Sequence, residues 1–140
     1  MKLENNWKHK TLENLEKEVW KDAGPDDTLL VQRVTGLRKV PLDEWSIEDM
    51  RLVIGQQFSL DYLIPLALEM LRENLFAEGD KYEGDLLRNV LQVKAEFWRA
   101  NMDHWLAVEK LIRGKEARMR ELGFDAVKFY NAKPYGKCRN

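Results

Sequence analysis

Leu60-Asp61-Tyr62-Leu63-Ile64-Pro65-Leu66-Ala67-Leu68-Glu69-Met70-Leu71-Arg72-Glu73-Asn74 is the stretch on which the fold turns. Its apolar side chains occupy most of the circumference at the 3.6-residue period. That predicts a helix over 59–74 with other helices around it. Pro65 lies inside this run. It brings no N–H and crowds the carbonyl four residues back, so a kink or a later start is expected there.

Upstream, Ser46-Ile47-Glu48-Asp49 puts a hydroxyl at the N-cap and a carboxylate at N3, close to a capping box. Ile47, Met50, Val53 and Ile54 then form an apolar face, with Gly55 expected as the C′ residue. Thr11 opens another stripe, Leu12, Leu15, Val19 and Trp20, stopped by Gly24-Pro25. Asp26 or Asp27 is expected to cap a helix reaching about residue 39, burying Leu30, Val31, Val34 and Leu37. The β-branched content of 28–34 allows a short strand, but the i, i+3, i+4, i+7 spacing favours helix. Downstream, 76–85 reads as a loop between Gly79 and Gly84, and helix resumes over 85–91. A long amphipathic helix is expected over 95–122, weakened at Gly114 and closed by Gly123. The expected fold class is all-α: one domain over 1–140, about six helices, the apolar helix at its centre and a basic, mobile tail over 124–140.

The 140 residues are 44% hydrophobic and 34% charged, which suits one globular domain. With 23 Lys and Arg against 24 Asp and Glu, the net charge is -1, unlike a generic nucleic-acid binder. No run approaches the ~18 apolar residues of a membrane span, and the N-terminal residues lack the apolar core of a signal peptide. Cys138 has no second cysteine to pair with, so a reducing, cytoplasmic setting is expected.

The total conceals a gradient. Residues 41–90 hold 4 basic and 11 acidic side chains, net -7, and residues 91–140 hold 11 basic and 6 acidic, net +5. Either the acidic middle faces a basic partner, or the two parts neutralise each other in the fold. Catalytic groups are scarce. His104 and Asp103 are adjacent and point about 100° apart on a helix, and His9 lies far away in sequence. No CxxC, HExxH, GxGxxG or P-loop occurs. Glu78, Asp80, Glu83 and Asp85 could hold a divalent cation, act as acid and base, cap a helix, or simply present negative charge. Of the five tryptophans, Trp98, Trp105 and Trp20 are expected in the core, Trp45 at a hydrophobic-staple position and Trp7 outside.

Three blocks in order carry a resemblance. Asp49-Met-Arg-Leu-Val-Ile-Gly-Gln56, Tyr62-Leu-Ile-Pro-Leu-Ala-Leu68 and Gly79-Asp-Lys-Tyr-Glu-Gly-Asp-Leu-Leu87, followed by Phe97-Trp98, resemble the immunity proteins of bacterial contact-dependent growth inhibition (CDI) systems. The likeness spans about residues 28–100, leaving out the N-terminal helix and the basic tail. It implies a binder without catalysis, cofactor or metal, working in the cytoplasm of the toxin-producing cell. Its partner would be the C-terminal domain of a cognate toxin, expected to be a basic nuclease, in a heterodimer. No membrane, nucleic acid or small-molecule substrate is implied. The acidic middle is then the expected toxin-facing surface: Glu78, Asp80, Tyr82, Glu83 and Asp85, with Asp61 and Glu69. Arg51, Gln56, Tyr62, Pro65, Gly79, Gly84 and Trp98 would be scaffold, and Arg51, Gln56, Tyr62, Asp80, Tyr82 and Asp85 could form a buried network holding the loop. Two other readings stay open: a small metal-dependent hydrolase using the Glu78–Asp85 carboxylates, and a regulatory adaptor with a basic tail.

Overall fold

Thr11, Thr28 and Ser46 start three helices by one local device. Each hydroxyl accepts a backbone N–H three residues on, from Asn14 (3.1 Å), Val31 (3.2 Å) and Asp49 (3.1 Å). Asp49 returns a bond to the Ser46 N–H at 2.9 Å, completing the capping box. The computed structural model describes residue 3 and residues 5–134. Among these residues it has nine α-helices and no strand: α1 (Leu12–Glu16), α2 (Leu29–Leu37), α3 (Ile47–Gly55), α4 (Leu60–Glu73), α5 (Asp85–Leu91), α6 (Ala95–Ala100), α7 (Met102–Ile112), α8 (Glu116–Glu121) and α9 (Val127–Asn131). α4 packs against α3, α5 and α7, and α3 against α5. One apolar cluster runs from Trp7 to Ala132.

The departures from the expected elements have local causes. α1 ends at Glu16 because Lys17 turns left-handed (φ 55°), which leaves Val19 70% exposed and Trp20 half-buried. Thr28, not Asp26 or Asp27, caps α2, while the Asp27 carboxylate accepts the Gly24 N–H. α2 buries Val34, Thr35 and Leu37 but not Leu30 or Val31, so only its C-terminal half packs. At the end of α3 the left-handed residue is Gln57 (φ 64°), not Gly55. The Gln57 N–H reaches the Ile54 carbonyl and the Phe58 N–H the Val53 carbonyl, a Schellman ending. The Gln57 amide also bonds the Gln92 carbonyl and the Lys94 N–H at 3.1 Å each, tying this turn to the one between α5 and α6. α4 continues through Pro65, and the carbonyl freed of its donor belongs to exposed Asp61.

The stretch 95–122 is three helices instead of one. Gly114 (φ 80°) separates α7 from α8, at the expected weak point. The unexpected break is Asn101, whose non-helical backbone (φ -139°, ψ 60°) parts α6 from α7 and whose amide bonds the Phe97 carbonyl at 2.9 Å. The tail is tied down as far as it is described. Phe129 is fully buried, stacks on Trp105 at 4.9 Å, and its carbonyl takes the Trp105 indole N–H at 3.0 Å. Cys138 lies outside the described residues. Trp98 and Trp105 are buried as expected, whereas Trp20 is only half-buried; Trp45 at its staple position and Trp7 (7% exposed), beneath Tyr62, are buried too.

Candidate functional site

Asp85 is the first residue of α5 and is 2% exposed. Its carboxylate accepts the N–H groups of Gly79 (2.7 Å), Lys81 (2.9 Å) and Tyr82 (3.2 Å). The one loop N–H in that row it does not take, from Asp80, goes to Glu48 of α3 at 2.7 Å. Glu48 in turn is held by Arg51, one turn along α3, through Nε and Nη2. The Arg51 guanidinium also lies 3.8 Å from Asp85. Two buried carboxylates and one arginine therefore fix four successive amides of the loop. The Arg51 fork is the main cause that holds the Glu48 carboxyl at about 2 against an ordinary 4.5, helped by the Asp80 N–H and opposed by burial.

Glycine is needed at both ends of this loop, for different reasons. A Cβ on Gly79 would sit 2.7 Å from a Glu48 carboxylate oxygen and 3.2 Å from the Glu48 backbone. Gly84 has φ 86°, and a Cβ there would press on Leu122, Phe124 and Phe76 at 3.2–3.3 Å.

The expected network is thus present in part. Arg51 and Asp85 meet as side chains, whereas Asp80 and Tyr82 contribute their backbone N–H groups. Gln56 is exposed beyond the end of α3, and Tyr62 reaches the Leu15 carbonyl at 3.4 Å, far from the loop in sequence and partner. Glu48, absent from the expected set, supplies half of the network. Its place one turn before Arg51 was the available signal, but its reach to the amide of residue 80 is long-range.

Among the expected surface residues, Asp85 is the correction. A carboxylate buried under three N–H groups cannot meet a partner. Glu78, Asp80 and Glu83 are exposed and Tyr82 half-buried. Glu83 is paired with Arg118 of α8 at 2.7 Å, and Glu69 with Lys8 at 2.6 Å. Asp61 is exposed on the first turn of α4, in an open groove with Glu16, Lys94 and Glu96. Asp49 pairs with Arg33 and Asp43 with His9. The acidic middle is therefore neutralised in part by the rest of the chain, and Glu44, Asp61, Glu73, Glu78 and Asp80 stay exposed outside these pairs, with exposed Lys81 next to Asp80.

Nothing here is arranged for catalysis by the acidic loop. The oxygens of Glu48 and Asp85 that could ligate a cation already accept N–H groups. Among the described residues no group of three or more His, Cys, Asp or Glu side chains could hold a metal ion. His104 stacks on Phe97 at 6.3 Å, and burial lowers its pKa from the ordinary 6.5. No helix among the described residues is long and apolar enough to cross a membrane.

Searches among curated proteins and solved structures give no match. The profile of the CDI immunity proteins matches residues 14–108. The match begins within α1 and ends within α7, wider at both ends than the span suggested by the three sequence blocks. It contains the whole Glu48–Arg51–Asp85 network. The chain belongs to the CDI immunity proteins, a family of inhibitors of cognate CDI toxins and not of enzymes.

Proposed function

We propose that this immunity protein neutralises the C-terminal domain of a CDI toxin in the cytoplasm of the cell that makes it. The toxin is a nuclease with a basic cleft, and the protein blocks that cleft as a one-to-one complex. The whole 140-residue chain acts as a single domain in this role. The observation that carries the reading is the pinned loop. Glu48, Arg51 and Asp85 satisfy its backbone from inside, so Glu78, Asp80 and Glu83 stand outward with little left to order on binding. A rigid carboxylate surface competes with a polyanionic substrate for the same basic cleft and raises the rate of encounter. Asp61 adds an exposed carboxylate on α4, Glu69 joins through its exposed pair with Lys8, and Tyr82 adds an aromatic edge. An interface of ~1,200–2,000 Å² is expected.

The toxin is expected from the open reading frame immediately upstream. Cells expressing its C-terminal domain should survive when this chain is co-expressed and die without it. Death in both cases would reject the pairing. Release of nucleic acid from degradation in a mixture of the two purified proteins would establish the nuclease.

A further inference from the structure

Eight large apolar side chains are exposed among the described residues, and three are consecutive: Leu29 (82%), Leu30 (37%) and Val31 (44%). Three neighbours on a helix span about 200° of its circumference, so α2 begins with an apolar turn turned largely to solvent. Scattered surface leucines need no explanation, but a contiguous apolar turn does. α2 is tied to the start of α3. Arg33, one turn after Leu29 on the same side of α2, bonds Asp49 at 3.1 Å, and the neighbouring Glu48 holds the Asp80 amide.

The charge around this turn identifies the occupant. Arg33 is spent on Asp49, while exposed Asp26 and Asp27 immediately precede the apolar turn. An apolar turn behind two acidic residues fits a cationic protein surface. A second copy docking by two-fold symmetry would set this acidic face against its like. We infer that the first turn of α2 is the apolar anchor of the toxin interface, seated against a basic toxin domain. The inference rests on the immunity reading above and adds a surface that the acidic loop alone does not supply.

The two parts should act on different rates, since rim charges govern encounter and desolvated anchors govern escape. The probe is the toxin domain encoded immediately upstream, measured by surface binding kinetics. Leu29→Ser and Leu30→Ser together should raise the dissociation rate about 30-fold or more, as loss of a hot spot does, with association changed less than about twofold and the melting temperature kept. Asp80→Lys should do the reverse, slowing association. Unchanged dissociation in the leucine variant would overturn the anchor while leaving the immunity reading intact. A wild-type dimer that the leucine substitutions dissociate, with toxin kinetics unaltered, would also overturn it. Absence of any complex with wild-type protein, together with failed rescue, would remove both readings.

Discussion

The loop before α5 and the segment before α2 are both irregular, both acidic and both held by buried charge, yet they are held in opposite ways. In the loop, Asp85 and Glu48 draw four successive backbone N–H groups inward. In the segment, buried Arg38 at the end of α2 reaches out to the Glu16 carboxylate (2.6 Å), the Glu18 carbonyl (2.9 Å) and the face of Trp20 (4.4 Å). A carboxylate gathers several amides within a few residues and so fixes a whole turn. A guanidinium fixes the points it touches, here residues 16–20, and leaves 21–28 to the local bonds of Asp27 and Gln32 and to one exposed ion pair, Asp22 with Lys39 at 3.7 Å. One region is therefore a rigid platform and the other a strap fastened at one end.

The largest expected effect comes from unpinning the platform. Asp85→Ala leaves three N–H groups and Arg51 short of a partner in a buried site, a loss of about 3–5 kcal/mol. The melting temperature should fall by roughly 10 °C, and amide exchange at 79–82 should quicken while α2 keeps its protection. Arg38→Leu is expected next, at about 2–3 kcal/mol, with tryptic cleavage at Lys17 and Lys21 accelerated and the loop amides still protected. If either variant loosens both regions together, the two are not independent and the comparison fails.

A comparable effect is expected from pH. Glu48 titrates at about 2 in the folded chain and near 4.5 unfolded. Its contribution, roughly 3 kcal/mol, is complete above pH 4.5 and is lost as pH falls from there toward 2. Exchange at the Asp80 amide, corrected for intrinsic rate, should rise across that window in wild type and be already fast in Glu48→Gln. The smallest effect belongs to Arg118→Ala. Its bonds to Glu83 and Glu121 are exposed, so the melting temperature should not move measurably, and only high-salt and low-salt toxin kinetics should differ.

Much of this was legible because the signals are local. Ser46 and Asp49 write their capping box within four residues, and the apolar faces of α3 and α4 follow from periodicity alone. The Gly79–Gly84 loop was marked by its glycines. What sequence did not show was direction. Asp85 could be read as surface charge, as a helix cap or as part of a buried network, and only the fold turns it under the loop. Leu30 and Val31 kept helical spacing with Val34 and Leu37, but spacing does not say how far along its length a helix stays packed. Asn101 breaks the long helix through its backbone, with no proline or glycine to announce it. Glu48 and Arg38 act across long separations, to an amide in one case and to a carbonyl and a ring in the other.

The central claim is that a preorganised acidic loop meets a basic toxin. The most direct measurement is the association rate of the upstream-encoded toxin domain with wild type and with Glu78→Lys/Asp80→Lys, at low and high salt. The account predicts at least tenfold slower association for the variant at low salt, shrinking toward parity as salt screens the encounter. Equal rates at low salt would contradict it and move the interface away from this loop.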